Sequence, residues 1–475
     1  MDQFSREKSC SSYGTSAGIG GMSMVGKSPL RSVDVLVEGK VYVHGRIMEA
    51  CIGIDNGEIT SVSKRSLAPR AEKRVRYEGK KVILPGMVDI HVHLRDLNQE
   101  YKEDWYTGTL SALRGGVTAV IDMPNNVPPI DSYDRLLMKL ERASRRALVD
   151  FGFYMGYPLK LEDLRKARKF IVGVKLYPQD LYEEKLRVLF NACLNEDIPV
   201  VVHAEDPKVL SEKASVLREK GIELGPKIHT LLRPPEAELR AVRKVLALKR
   251  EFKGLKVHFT HISLRDSLKE VLLGKLEGDV TFDVTLHHAL LDESIYDTPL
   301  GRISKVNPPL RPSSDREAIF SCLQRMLADA LITDHAPHSL SEKLSDDYES
   351  TPPGFPGLEV ALPILFTEIL EGRLPLGVLD LYSSKPANIF GLTKGDIRPG
   401  MDGDLAVVDY SRGGTIKGEE FSSKAKYTPF EGRTVRALIL DVYLRGVRAL
   451  EEGNLQVEGG FGKLVRKSGD KFSWN

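Results

Sequence analysis

Eight short apolar runs constrain this chain more than any other feature. In order they read KVILPGMVDIHVH, VTAVIDM, DFGFYM, IVGVKLY, IPVVVH, KVHFTH, VTFDVT and LITDH. Between several of them lie amphipathic stretches with charged faces, such as YDRLLMKLERASRRAL and EAELRAVRKVLALKREF. Eight strand-like runs with crossover helices, spread over about 250 residues, predict an α/β fold of the (β/α)8 type, a TIM-like barrel. A doubly wound open sheet is the alternative, but no GxGxxG turn follows the first run. From Val33 the pattern is different: VDVLVEG, VYVHGR and ACIGIDNGEITSVS are short and alternating, and Asn56-Gly57 marks a tight hairpin. Beyond Lys385 it turns short and β-like again, in GDIRPGMDGDLAVVDY, ALILDVYLRG and VRALEEGN. The expected organisation is a small β-sandwich domain from both ends of the chain, residues 33–80 plus 390–465, with the barrel, residues 81–389, inserted between them.

Residues 1–32 are small, polar and rich in Gly and Ser, and they lack the apolar core of a secretory signal. They read as a loose tail, as a transit-like segment, or as a segment ahead of a start at Met22 or Met24. A chain of 475 residues suits one large domain and a smaller one. With 68 basic against 66 acidic residues it lacks the basic excess of a nucleic-acid binder. Its four cysteines are far apart, so neither a disulfide framework nor a thiolate zinc site is expected, and a reducing cytosol is the default. No apolar stretch is long enough to cross a bilayer, which predicts a soluble, cytoplasmic protein with no membrane partner.

The strand ends carry the chemistry. In VDIHVHLRD, His91 and His93 stand two apart, so in a strand both imidazoles share a face, with Asp89 and Arg95 on that face if the strand stays extended. Alone, the pair reads equally well as two hydrogen-bonded core histidines. Four further runs end on comparable residues: Lys175 in VGVKLYP, His203 in VVVHAED, His261 in VHFTHIS and Asp334 in LITDHAPH. A barrel enzyme builds its active site from the C-terminal ends of its strands, so five strands deliver candidate metal ligands to one rim. Lys175 is the odd member. As an ammonium it would repel a cation, and an ion-paired lysine is the simpler reading. Carboxylated by CO2, it would instead bridge two metals.

The stretches DIHVHLRD, QEYKEDWYTGTLSALRGGVTAVIDMPNN, GVKLYP, HAED, RPPEAE, THIS, NPPLR, TDHAPH and PPGFPGLE, in this order, resemble the dihydroorotase family of the cyclic amidohydrolases. The resemblance implies two Zn2+ ions. His91, His93 and Asp334 would hold one, His203 and His261 the other, and an N6-carboxylated Lys175 would bridge them, since GVKLYP is similar to the lysine-using branch. It also implies reversible, zinc-dependent cyclisation of N-carbamoyl-L-aspartate to L-dihydroorotate in pyrimidine biosynthesis. In that chemistry the metals lower the pKa of a water, and Asp334 serves as general base and then acid. Arg95, Asn125 and His338 would hold the substrate carboxylate, with His93 beside them and Asn307 at the ring. Backbone at Pro353 and Gly354 would read the ring's amide edges. Asn307 also reads as a turn before two prolines, and Asn125 as a loop-capping amide.

A homodimer, and association with aspartate transcarbamoylase, follow from family habit. HSLSEKLSDDYESTPPGFPG reads either as a lid over the pocket or as an ordinary exposed loop. His44, His229 and His258 are assigned to packing. His287, His288 and His335 lie near the site without a role. Two positions depart from the family pattern: Leu286 stands where a Pro precedes the His pair, and no Pro-Gly follows Arg95. Hydantoinase-like enzymes share the HxH and the lysine but leave Arg95 unexplained. Allantoinase-like enzymes lack an amide at Asn125. A non-catalytic relative would have lost metal ligands, which this chain keeps.

Overall fold

A computed structural model of the chain describes residues 32–222 and 225–467. The expected tail, apart from Ser32, lies outside the described residues. The first five strands are β1 (Val33–Val43), β2 (Arg46–Asp55), β3 (Glu58–Ser63), β4 (Ala71–Arg76) and β5 (Lys81–Pro85). The next eight are β6 (Met87–Val92), β7 (Val117–Asp122), β8 (Asp150–Met155), β9 (Ile171–Leu176), β10 (Val200–Val202), β11 (Val257–Phe259), β12 (Val280–Thr285) and β13 (Ala330–Ile332). These eight pair in sequence order, all parallel. The ends of the sheet meet where Val92 bridges His335 and the His93 N–H donates to the His335 carbonyl at 2.7 Å. The barrel is thus nearly closed, and every residue of β6 to β9 is buried, as parallel strands covered on both faces require.

After the barrel come β14 (Leu405–Asp409), a two-residue pair β15 (Gly414–Thr415) and β16 (Thr434–Val435), then β17 (Leu438–Leu444), β18 (Val447–Glu451) and β19 (Asn454–Leu455). Strands from both ends of the chain share one separate sheet of nine, ordered β19-β18-β17-β14-β5-β1-β2-β3, with β4 alongside β1. Alternation divides its faces. Val41, Ile83 and Val407 face a core of the sheet's own, whereas Tyr42, Val82, Leu84, Ala406 and Val408 join the barrel's core. The Asn56-Gly57 turn between β2 and β3 has positive φ at both residues, 50° and 81°.

The first apolar run of the sequence divides into two strands. Lys81–Pro85 pairs with β1 and β14 in the outer sheet, and the chain enters the barrel only after Gly86. A Cβ at Gly86 would stand 2.2 Å from Thr118 Oγ1. Gly86→Ala is therefore expected to destabilise the fold by about 1–3 kcal/mol, read as a lowered urea midpoint; an unchanged midpoint would count against this close approach.

Beside that junction lies a buried charge cluster. The Lys394 Nζ stands 2.5, 2.7 and 2.8 Å from Asp150, Asp402 and Asp404. Arg445 also pairs with Asp150, and Arg466 with Asp402. The three carboxylates come within metal-binding reach of one another, but the ammonium already fills their centre. Charges removed from water need this degree of pairing, and the cluster ties the start of β8 to the segment before β14. Cys51, Cys193 and Cys322 are buried free thiols. No helix among the described residues is long and apolar enough to cross a membrane.

Candidate metal centre

At the C-terminal mouth of the barrel lies a cavity of about 380 Å3. His91, His93, Arg95, Asn125, His203, His261, Asn307, Asp334, His338, Pro353 and Gly354 all line it. Lys175 does not. Its side chain, 0 % exposed, lies out of contact with solvent and its Nζ has no hydrogen-bond partner.

The imidazoles cluster tightly. Ring centroids of His91 and His93, and of His91 and His261, are 5.3 Å apart, and those of His203 and His261 are 4.5 Å apart. Asp334 Oδ1 stands 3.3 Å from His91 Nε2 and 3.2 Å from His93 Nε2. Ligand atoms of a tetrahedral zinc site, with bonds of about 2.0–2.1 Å, stand roughly 3.3 Å apart. The spacing therefore fits one ion held by these three groups.

Hydrogen bonds behind the rings fix which nitrogens face that point. Thr260 Oγ1 gives its one proton to Asp283 Oδ1 at 3.1 Å, so at 2.6 Å it accepts from His91 Nδ1. Asn125 Oδ1, an amide carbonyl, accepts from His93 Nδ1 at 2.7 Å. The Glu205 carboxylate accepts from His203 Nε2 at 2.5 Å. The bare nitrogens are then Nε2 of His91, Nε2 of His93 and Nδ1 of His203. For His91 and His93, a nitrogen lone pair faces the Asp334 oxygen, which is repulsive until a cation sits between them. Such outer partners are the usual means of orienting metal ligands. Burial holds the pKa of all four imidazoles below the usual range. For His91 the charge of Lys175 adds to this, and for His261 those of His203 and Lys175. They are neutral near pH 7, so protons do not compete for the site. Burial also pulls Lys175 down to about 7, against smaller opposing effects of Asp283 and Asp334.

The anion side of the cavity is built from loops. The strand ends at Val92, so Arg95 does not reach the cavity by strand register. Arg95, Asp96 and Leu97 are three consecutive non-glycine residues at positive φ, 58°, 52° and 51°. Each costs of order 1 kcal/mol, a pattern found where a structure over-determines a functional turn. His261 and Asp334 are also left-handed, at 42° and 49°. Arg95 Nε donates to Pro337 O at 3.0 Å, and its Nη2 lies 2.8 Å from His338 Nε2. Lys102 Nζ, which can only donate, stands 3.2 Å from His338 Nδ1. Both ring nitrogens of His338 thus face cationic donors, and Pro353 O lies a further 3.0 Å from Nε2.

Asp89 does not share the cavity, contrary to the extended-strand expectation. Its carboxylate accepts from the backbone of His91 (3.1 Å) and Thr333 (3.2 Å) and from the Tyr382 hydroxyl (3.2 Å). Gly354 has φ +123°, and a Cβ there would stand 2.6 Å from Ala336 O. Its N–H is occupied by Lys305 O at 2.8 Å, so the backbone at this point offers acceptors to a ligand, not donors.

Sequence reasoning passed over several participants. Tyr177 lines the cavity, and its buried hydroxyl has no partner, like Asn307 Oδ1 and His261 Nδ1. Arg233 lines it too and grips Glu205 at 3.0 and 3.1 Å through Nε. Glu205 was within reach of inspection, two residues after His203 in HAED. Asp283 was not, since only the barrel brings it to Thr260 and His258. Among the remaining histidines, His288, His229 and His335 make contacts that hold backbone in place. His288 Nε2 meets Pro308 O at 3.0 Å and His229 Nε2 meets Val306 O at 2.8 Å, both steadying the loop of Asn307. His335 Nδ1 accepts from Gly357 N–H at 3.2 Å, at the start of the helix Leu358–Leu370. His44 is on the surface beside Asp396.

Barrel and cavity together define a protein of the (β/α)8 type with a candidate metal site at the mouth of its barrel. The chain is similar in structure to the L-hydantoinase (dihydropyrimidinase) of Arthrobacter aurescens, with a TM-score of 0.87 at 27 % identity, over 92 % of this chain and 100 % of that one. A dihydropyrimidinase from Brevibacillus agri shares the fold, with a TM-score of 0.84 at 24 % identity over 91 % of this chain and 98 % of that one. The family model described as the amidohydrolase family matches residues 82–449. A dihydroorotase of Methanothermobacter thermautotrophicus is 36 % identical over 410 residues, 85 % of this chain and 91 % of its own. One from Pyrococcus abyssi is 34 % identical over 439 residues, 92 % of this chain and 100 % of its own. The chain belongs to the amidohydrolase family, among its dihydroorotases.

Proposed function

We propose that the chain interconverts N-carbamoyl-L-aspartate and L-dihydroorotate at this cavity, using two zinc ions bridged by a carboxylated Lys175. One observation carries the reading: a ligand set whose bare nitrogens face a carboxylate lies in the same cavity as a cationic clamp. His91, His93 and Asp334 would hold one ion, and His203 and His261 the other. Bound there, a metal pair supplies the Lewis acidity that lowers the pKa of water and polarises a carbonyl. Lys175, neutral above about pH 7 and without a partner, is chemically ready to take up CO2.

Arg95 presents a planar fork suited to a carboxylate. The Asn125 amide, its oxygen bound to His93, turns an NH2 toward the same anion. The Asn307 carbonyl and the free lone pairs of the Pro353 and Gly354 carbonyls suit the ring N–H groups. Asp334 takes the proton of the attacking water and returns it to the leaving ring nitrogen; in ring closure the order reverses. We assign residues 33–85 with 390–465 to one domain, and the barrel from residue 86 to 389 to the other.

The backbone likeness to a hydantoinase favours a second reading, hydrolysis of an uncharged cyclic amide. The two separate in one assay of the zinc-loaded protein. L-dihydroorotate is expected to exceed hydantoin, dihydrouracil and allantoin in kcat/KM by at least about 10^3-fold, because an unpaired clamp rejects analogues lacking the anion. Turnover of an uncharged ring with none of dihydroorotate would overturn the proposal.

A further inference from the structure

The segment after His338 carries an ammonium buried without a carboxylate at hand. Lys343 closes the short helix Leu340–Lys343 and is 0 % exposed. Its Nζ donates to three carbonyls, Lys305 O at 3.1 Å, Pro352 O at 3.0 Å and Gly354 O at 2.9 Å. Each of its three protons has an acceptor, and none of the acceptors is an anion. The three carbonyls belong to the two segments that face the substrate ring in the reading above. Lys305 is two residues before Asn307, and Pro352 and Gly354 flank Pro353. The Gly354 N–H closes the same knot by donating to Lys305 O at 2.8 Å. Ser339 and Glu342 form a capping box that sets the helix, and Glu342 pairs at 2.9 Å with Lys102, the lysine beside His338.

Resting on the dihydroorotase reading, we propose that Lys343 is a positioning residue for substrate binding: its three N–H groups hold the Pro353–Gly354 backbone against the Asn307 loop, and the bound carboxylate supplies the negative charge its surroundings lack. The electrostatics agree. Burial, then the charges of Lys305 and Arg95, push Lys343 toward its neutral form. An anion arriving at Arg95 favours the charged, three-donor form, so ligand binding and the closed loop reinforce each other, and by linkage the closed loop raises ligand affinity by the same factor.

Lys343→Met keeps an unbranched side chain, one atom shorter, and removes every donor. The variant and the zinc-loaded wild type are compared for KM and kcat in both directions, for metal content, and for hydrogen exchange of the amides at 352–357. The expected result is KM raised about tenfold or more for both substrates, with kcat within about threefold of wild type. Metal content is unchanged and the Gly354 amide exchanges faster. Unchanged KM, or unchanged exchange at Gly354, would overturn the proposal. So would a parallel fall in kcat and bound metal, which marks a general structural role. Lys343→Gln, which retains donors, is expected to fall between wild type and Lys343→Met; failure of both variants to fold assigns Lys343 to the fold alone and sinks the inference. If the wild type itself turns over neither substrate, the proposed function fails, while the exchange comparison still decides whether Lys343 sets the loop.

Discussion

Lys175→Met is expected to yield a folded protein with kcat/KM lowered at least about 10^3-fold, since the lost contribution of a metal bridge is several kcal/mol and each 1.36 kcal/mol is tenfold. Methionine fits the slot of a fully buried lysine whose Nζ bonds to nothing, so the fold does not depend on the amine. Metal analysis should show less bound zinc than wild type. Full activity and full zinc in the variant would remove the bridge from the proposal. A companion experiment uses the charge state. Burial brings Lys175 to about 7. Below that pH the group is an ammonium and cannot attack CO2; above it the free amine can. Reactivation of metal-free protein by zinc at constant dissolved CO2 should therefore quicken as pH rises from 6 to 8 and level off beyond. A rate independent of pH across that interval would contradict carboxylation as the slow step.

Arg95→Met is expected to raise KM for N-carbamoyl-L-aspartate by about 10^2–10^4-fold. A bidentate pair makes two charge-assisted hydrogen bonds of about 1.5–3 kcal/mol each, and 1.4 kcal/mol is tenfold in affinity. The loss should fall on KM more than on kcat, because the clamp holds a carboxylate that does not react. Arg95→Lys should recover only part, since a point charge cannot reproduce the fork. The Arg95 backbone is held independently, by the Asn126 side chain on its carbonyl and the Asp96 N–H on Glu103 O, so the turn survives the substitution. KM within threefold of wild type in Arg95→Met would place the substrate anion elsewhere in the cavity.

The barrel was legible because parallel strands buried on both faces are written as continuous apolar runs. The same continuity hid a boundary. KKVILPGMVDIHVH reads as one run, yet its first strand belongs to the outer sheet and its second to the barrel. The break rests on Gly86 meeting Thr118, a contact across 32 residues that no local pattern records. Strand alternation also misplaced Asp89, which shares a register with His91 inside the strand while its carboxylate is taken by Thr333 and Tyr382.

By itself the sequence determined which side chains can reach the mouth of the barrel, because strand direction and strand end are local properties. His91, His93, His203, His261 and Asp334 follow from that rule alone. Only the tertiary structure decided the state in which they arrive. Thr260 with Asp283, Asn125 and Glu205 choose the bare nitrogens; burial sets the charge of Lys175; and Lys343 holds together the loops of Asn307 and Gly354. Those effects depend on partners drawn from other strands and loops and on how completely water is excluded, and neither is present until the chain has closed on itself.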